Sequence, residues 1–210
     1  MLLLSDNLED NMNTEYSAGL MTECSWFIEF KKFLKLKYEG RAEEEIQDLI
    51  INHNYLCAPR EHRIKRTYMY LLKRTNQLDA QGLQLFFDSD LQTQKLINLI
   101  CILRQDRLFF EFINEVYREK NILGTEYLEN SDGNIFFKNK DIQSDVIASW
   151  RDSTKEKLIS LYYNIMVDCN LLTLEGKKRK ITPPILDVAL ERYLEFSGET
   201  ALIKAITGVS

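Results

Sequence analysis

Apolar residues recur at three- and four-residue steps along most of the chain, which is the spacing of one face of an α-helix. The first stripe runs from Trp26 to Leu34, and Gly40 ends it. Further stripes predict helices over residues 42–53 and 59–76, followed by two shorter helices whose N-caps are Asp79 and Asp90.

The second half of the chain continues this helical pattern. Residues 106–120 carry a strong apolar stripe that Gly124 ends. We expect Ser131 to cap the next helix, a further helix over residues 141–150, and another that Ser153 caps with Glu156 at the capping-box spacing. Helices over residues 185–196 and 200–206 complete the pattern.

One short stretch breaks the helical pattern. Residues 171–174 and 177–182 flank Glu175-Gly176, which predicts a small β-hairpin. The chain has only 8 glycines and 3 prolines in 210 residues, which leaves little material for β-turns. We therefore predict a mainly α fold: a helical bundle with helix-turn-helix (winged-helix-like) modules and one hairpin near the C-terminal third.

The pattern suggests three segments. Residues 1–15 are polar and acidic after the first four and predict a flexible N-terminus. Residues 16–104 form an N-terminal helical domain that contains a helix-turn-helix. Residues 105–210 form a C-terminal helical domain that contains the winged-helix-like hairpin.

Charge and cysteine usage exclude several classes. Lys and Arg number 27 against 32 Asp and Glu, so the net charge is −5 and a generally basic protein is excluded. No apolar run approaches the ~20 residues that span a bilayer. The four cysteines are scattered without metal-ligand spacing, which is typical of reduced thiols in a cytoplasmic protein. We expect no metal site, no cofactor, no membrane contact and no small-molecule substrate.

A catalytic function finds little support in the sequence. The chain has two histidines, His53 and His62, and neither has an evident serine or cysteine partner. Cys57 lies between them, but nearness in sequence is a poor sign of a nucleophile. We therefore predict that the protein is not an enzyme and has no catalytic residue.

The predicted helix 59–76 is locally basic, although the chain as a whole is acidic. Between Pro59 and Arg74 it holds six basic residues against one Glu, a local charge of +5. A short helix, a turn and a basic amphipathic helix follow one another as in a helix-turn-helix. Its early residues would reach base edges in the major groove, and its last two would contact phosphate. The candidate DNA-binding residues are Arg60, His62, Arg63, Lys65, Arg66, Lys73 and Arg74. The alternative is an ordinary helix with a solvated charged face.

The hairpin is the second basic feature. Its turn and second strand hold Lys177, Lys178, Arg179 and Lys180. A winged helix places such a hairpin beside its helices to hold the DNA backbone, so these residues are candidates for phosphate contacts. The alternative is a solvent-exposed turn.

Three stretches together resemble one family. They are residues 16–20 (Tyr-Ser-Ala-Gly-Leu), residues 106–117 (Asp-Arg-Leu-Phe-Phe-Glu-Phe, leading to Glu-Val-Tyr), and residues 131–150 with their Phe136-Phe137 pair. Their order and spacing resemble BrxA, a small protein of BREX bacteriophage-defence systems. The resemblance covers residues 16 to about 172. It implies a role in a multi-protein system with DNA binding as the activity, and it carries over no catalytic residue.

We therefore expect a non-enzymatic protein that binds double-stranded DNA through the basic helix and the hairpin, alongside other BREX proteins. The first alternative is an adaptor whose basic helix docks on an acidic partner and assembles other components of the complex. A second alternative is RNA binding. The sequence does not define a DNA sequence preference or an oligomeric state.

Overall fold

The computed structural model of the chain describes residues 15–22, 25–58 and 60–208. These residues fold into two units. One holds residues 25–102, and the other holds residues 103–208 together with the described residues before Cys24. The prediction of a mainly α fold is confirmed. Most of the predicted flexible N-terminus, residues 1–14, lies outside the described residues.

The unit of residues 25–102 consists of helices. They are α1 (Phe27–Tyr38), α2 (Glu43–Ile51), α3 (Glu61–Thr75), α4 (Ala80–Asp88) and α5 (Leu91–Leu103). Helix α1 contacts α2, α3 and α4, and α2 contacts α3. The apolar stripes read from the sequence form the core, in which Phe30, Phe33 and Leu71 are fully buried.

Two predicted helix caps are confirmed in this unit. The Asp79 carboxylate accepts a hydrogen bond from the Gly82 backbone N–H at 2.7 Å, and the Asp90 carboxylate accepts one from the Thr93 N–H at 2.7 Å. Each carboxylate satisfies a backbone donor that the first turn of its helix leaves open.

The second unit begins with one long helical stretch that is not uniform. It consists of α6 (Arg107–Phe112), a π-helical segment (Ile113–Tyr117) and α7 (Arg118–Ile122). The unit continues with β1 (Tyr127–Leu128), α8 (Asn130–Gln143), α9 (Asp145–Ala148), α10 (Asp152–Asp168), β2 (Leu172–Glu175), β3 (Lys178–Ile181), α11 (Val188–Phe196) and α12 (Thr200–Thr207). The predicted hairpin is therefore confirmed as β2 and β3.

A third strand joins the hairpin. Strand β1 pairs antiparallel with β3, so the sheet order is β1-β3-β2, with Tyr127 opposite Lys180 and Leu128 opposite Arg179. Strand β1 has no counterpart among the predicted elements. Two residues are too few to show the alternation that marks a strand.

Three predicted helix boundaries in this unit are wrong. Helix α8 starts at Asn130 after Glu129, so Ser131 lies inside it. The segment 141–150 is not one helix, because α8 ends at Gln143 and Ser144 caps α9. Ser153 lies inside α10, which starts after Arg151. A Ser at capping spacing cannot cap when the chain enters the helix earlier.

Glu111 is the centre of a buried ionic cluster that joins the N-terminal segment, α6 and α8. Its carboxylate accepts hydrogen bonds from Tyr16 Oη at 3.0 Å and Arg107 Nε at 2.7 Å, and it pairs with Lys140 Nζ at 2.6 Å. Lys140 is 2% exposed and also donates to Glu115 at 2.7 Å. The Arg107 guanidinium lies over the Tyr16 ring, 4.5 Å from its centroid.

Two opposing effects set the pKa of Glu111. Burial raises it, but the hydrogen bonds and charges of Lys140 and Arg107 outweigh burial and hold the pKa below its usual range. Burial likewise lowers the pKa of Lys140, while its bonds to Glu111 and Glu115 raise it above the ordinary value. The cluster is therefore ionised at neutral pH.

We predict that Glu111→Gln makes the protein less stable at pH 7 by about 1–3 kcal/mol, since it weakens charge-assisted hydrogen bonds. Because the folded pKa of Glu111 is depressed, its stabilising contribution is present above the unfolded value of ~4.3 and is lost as the pH falls through the folded pKa. The stability difference between wild type and variant should therefore shrink below about pH 4.3. Urea unfolding at several pH values measures it.

The matched control is Glu119→Gln, which neutralises an exposed carboxylate on α7. We expect it to change stability little at any of these pH values. A Glu111→Gln difference that stays constant from neutral to acid pH would contradict the prediction.

Candidate nucleic-acid interface

Helix α3 presents a continuous basic face to solvent. Arg63, Arg66 and Lys73 are exposed and lie along one side of the helix at steps of three and seven residues. The Arg66 guanidinium lies 5.9 Å from the centroid of the half-buried Tyr70 ring, and such contacts stabilise a cation beside an aromatic face. The exposed candidates on this helix and its N-cap are Arg60, His62, Arg63, Lys65, Arg66 and Lys73.

The opposite face of α3 packs into its unit. Ile64, Tyr68 and Leu71 are buried there, as the helical wheel predicts. Tyr68 stacks on Phe33 of α1, with ring centroids 5.8 Å apart. This packing fixes the orientation of the helix, so the direction in which the basic face points is set by the core.

Arg74 does not belong to the basic face. It was predicted to contact phosphate, but the structure buries it completely. Its Nη1 donates to the Ser25 carbonyl at 2.6 Å and to Asn98 Oδ1 at 3.4 Å, and its guanidinium lies over the Trp26 ring. A helix advances ~100° per residue, so Arg74 lies beside the buried Thr67 and next to the edge of the exposed arc. The hydrogen-bond acceptors of Arg74 belong to other elements and hold its guanidinium in the interior. Sequence spacing alone does not reveal these acceptors.

Carboxylates of α2 lie beside the basic face of α3. A groove of about 620 Å³ lies between α2 and α3, and its lining includes Glu44 and Asp48 of α2 and Lys65 and Met69 of α3. Lys65 therefore faces carboxylates. Arg63, Arg66 and Lys73 are not among the residues that line the groove.

The connector between α2 and α3 is braced by side-chain hydrogen bonds within its described residues 52–58. It spans nine residues, 52–60, which is longer than the three or four residues usual in a helix-turn-helix. The Asn54 side chain braces it by accepting from the Ala58 N–H at 2.8 Å and donating to the Ala58 carbonyl at 3.1 Å. Leu56 is buried. A helix-turn-helix in this unit therefore stays a prediction.

The basic residues of the hairpin differ in whether a carboxylate pairs with their charge. Lys180 pairs with Glu175 at 2.9 Å and with Glu126 at 3.5 Å. The hydrogen bond to Glu175 is the main reason that the pKa of Lys180 is raised, and the same bond lowers the pKa of Glu175. Tyr127 Oη also donates to Glu175 at 3.0 Å, which raises the Tyr127 pKa to about 12.

Two of the other three basic side chains lie against aromatic rings, one in the sheet and one on α10. Lys178 Nζ lies 4.9 Å from the Tyr127 ring centroid, and Arg179 lies 4.4 Å from that of Tyr163. Arg179 also donates to Asn130 Oδ1 at 2.9 Å. Lys177 and Lys178 are exposed, whereas Arg179 and Lys180 are partly covered. The turn itself thus carries the most accessible positive charge.

The described part of the chain holds neither a cluster of metal ligands nor a membrane-spanning helix. No group of three or more His, Cys, Asp or Glu side chains is placed to hold a metal ion among residues 15–22, 25–58 and 60–208. His53 lies 3.4 Å from Asp48 on the surface, and Cys57 is exposed. Within the same ranges, every helix is too short or too polar to cross a bilayer.

The fold and the candidate site together define a mainly α protein with a small three-stranded sheet and two exposed basic surfaces. The sequence matches the BrxA family over residues 14–198. It is 32% identical over 193 residues to the BREX protein BrxA of Bacillus cereus (strain H3081.97). The aligned region covers 92% of this chain and 96% of that protein. The chain therefore belongs to the BrxA family of BREX bacteriophage-defence systems, and the resemblance seen in the sequence is confirmed.

The fold also occurs in a more distant protein. The crystal structure of an uncharacterized protein from Magnetospirillum magneticum is similar, with a TM-score of 0.78 and 19% sequence identity. The similarity covers 92% of this chain and 99% of that chain. At this identity the likeness establishes the shared fold alone.

We predict that Arg74→Met destabilises the protein by about 1.5–3 kcal/mol, because the variant keeps the apolar stem but removes charge-assisted hydrogen bonds from the interior. Urea unfolding monitored by circular dichroism measures this. The control is Lys73→Met, which changes the neighbouring exposed position and should alter stability by less than ~0.5 kcal/mol. Equal effects of the two substitutions would show that Arg74 does not hold the interior together.

Proposed function

We propose that the protein binds double-stranded DNA as a non-enzymatic component of its BREX system. The observation that carries the proposal is the exposed, ordered row of Arg63, Arg66 and Lys73 on α3. Guanidinium groups on the exposed face of a rigid helix suit the major groove, where Arg donates two hydrogen bonds to guanine. Lys73, near the C-terminal end, is placed to contact phosphate.

The early part of α3 supplies the remaining contacts. Arg60 and His62 are exposed at the N-terminal end of the helix, where recognition helices reach base edges. Lys65 faces the carboxylates of α2 and contributes less. The acidic face of α2 repels phosphate, so it limits the directions from which a duplex can approach α3.

The order of elements in the second unit supports a winged-helix role for the hairpin. A helix, a short strand, two main helices and a hairpin follow one another, and the first strand pairs with the second strand of the hairpin. This is the order of a winged helix, in which the hairpin is the wing. Lys177 and Lys178 at its turn would contact the backbone, and Arg179 would support them from the sheet.

The exposed face of α10 gives this module little means of reading bases. Its exposed side chains include Glu156, Lys157 and Ser160, with no excess of positive charge. Contacts from the second unit would therefore be mostly to phosphate, which carries no sequence information. The net charge of −5 opposes non-specific adhesion elsewhere on the surface.

The experiment that tests the proposal is binding to a fluorescent DNA duplex, followed by anisotropy at two salt concentrations. With Lys73, Lys177 and Lys178 on phosphate, affinity should fall about 40-fold between ~50 and ~200 mM salt, because each contact releases counterions. An unlabelled RNA duplex of the same sequence serves as competitor. Absence of binding at ~50 mM salt would contradict the proposal, and preference for RNA would favour an RNA-binding function instead.

Substitutions separate the two surfaces. We expect Arg63→Ala/Arg66→Ala to weaken binding by about tenfold or more, since a bidentate Arg contact contributes about 1–3 kcal/mol. Lys177→Ala/Lys178→Ala should lower the salt slope by about 2, the value for two lost phosphate contacts. Lys180→Ala is the matched control. Its ammonium group is already paired with Glu175 and Glu126, so its loss should change the slope least.

One observation favours an adaptor as the second candidate function. Met69 lines the groove between α2 and α3, one helical turn from both Lys65 and Lys73, and is 61% exposed. Met and Arg side chains are enriched at the centres of protein–protein interfaces, so an exposed Met beside a basic face suits an acidic protein partner. In that case Met69→Ser would release another BREX protein while DNA affinity stays unchanged, and Arg63→Glu would abolish the complex. DNA binding without any such complex would exclude the adaptor.

A further inference from the structure

A groove on the second unit has a chemistry opposite to that of the basic surfaces. It lies between the π-helical segment with α7 on one side and α8 on the other, and its volume is about 270 Å³. Val116 and Phe136, both buried, contribute to its lining. Leu123 and Ile135 also line it and expose 78% and 56% of their surface to solvent. Large exposed aliphatic side chains beside a cavity are typical of an interaction surface.

The charges around the groove are mainly negative. Its lining includes three carboxylates, those of Glu115, Glu119 and Asp132, against one ammonium group, that of Lys120. Lys120 pairs with Asp132 at 2.8 Å and Lys140 balances Glu115, so the exposed Glu119 determines the net charge of the lining. Glu115 is held in place by its bond to Lys140 at 2.7 Å. A carboxylate fixed in this way is oriented before any partner arrives.

The backbone beside the groove is unusual. Glu115 and Val116 belong to the π-helical segment Ile113–Tyr117. Such segments are rare and occur frequently at functional sites. The Glu111 cluster joins the helix just before the segment to α8 through Lys140, and the Lys120–Asp132 ion pair joins α7 to α8 just after it.

We infer that this groove binds a basic amphipathic segment of a partner protein. An apolar side chain of the segment occupies the space between Leu123 and Ile135, and Lys or Arg side chains lie beside Glu115 and Glu119. Charge complementarity identifies this occupant, because DNA and acidic segments are repelled by the same carboxylates. The groove is therefore an interaction surface separate in chemistry from the proposed DNA-binding surfaces.

The probe for this inference is a synthetic 18-residue peptide of leucine and lysine with its leucines at helical spacing. One control peptide has the same composition in an order that removes the apolar face, and another has glutamate in place of lysine. Titration of the ¹⁵N-labelled full-length protein should shift the amide signals of Leu123, Ile135 and Asn139 with the helical peptide. Equal binding of the shuffled peptide would overturn the inference, since a general attraction between opposite charges would explain it.

Protein variants test the place of binding. We expect Ile135→Ser to weaken peptide binding by roughly fivefold or more, as removal of a buried aliphatic contact does. Glu119→Lys should weaken it by a similar factor and steepen the loss with salt. Ile142→Ser is the matched control, because Ile142 is 86% exposed on the same helix and does not line the groove. An equal loss with Ile142→Ser would overturn the inference.

Light scattering over a range of protein concentrations tests the other occupant, a second copy of this chain. A constant monomer mass, together with peptide binding, supports the partner segment. Concentration-dependent dimers that Ile135→Ser abolishes would assign the groove to self-association and overturn the inference.

Discussion

The Glu111 carboxylate lies where three segments of the second unit meet, and its ionisation holds them together. Tyr16 donates to it from the N-terminal segment, Arg107 from the same helix and Lys140 from α8. Charges taken out of water are costly unless they are paired and hydrogen-bonded. Here Glu115 supplies the second carboxylate, which balances the buried Lys140 and the half-buried Arg107 together with Glu111. The three stretches that carry the family resemblance contain these residues, so the resemblance includes this cluster.

The sequence predicted elements whose signal is local, and it failed where long-range contacts decide. Apolar spacing located most helices, and Gly176 with its flanking strands located the hairpin. Arg74 was misplaced because its acceptors come from residues distant in sequence, Ser25 and Asn98. The helical wheel was enough to predict that Arg63, Arg66 and Lys73 share one face of α3. The ion pair between Lys180 and Glu126 could not be predicted, because β1 is too short to recognise in the sequence and the position of Glu126 beside it was therefore unknown.

Two kinds of surface account for a protein that is acidic overall yet proposed to bind an acidic polymer. Positive charge is concentrated on α3 and on the hairpin turn, where the packing of Tyr68 and the sheet pairing of Arg179 fix it. Negative charge is concentrated on α2 and around the groove between α7 and α8. The two proposals therefore rely on oppositely charged surfaces, one suited to an acidic polymer and one to a basic segment.

The π-helical segment also sets the directions in which the side chains of α7 point around the shared helix axis. An α-helix turns ~100° for each residue, so one residue more or less rotates the next turn by about a quarter of the circle. A deletion within Ile113–Tyr117 that restored regular α-helix would turn Glu119 and Leu123 away from α8, although no residue of the groove itself had changed. In a homologous chain, the number of residues in this segment would therefore decide whether the groove forms, even if the side chains that line it were the same.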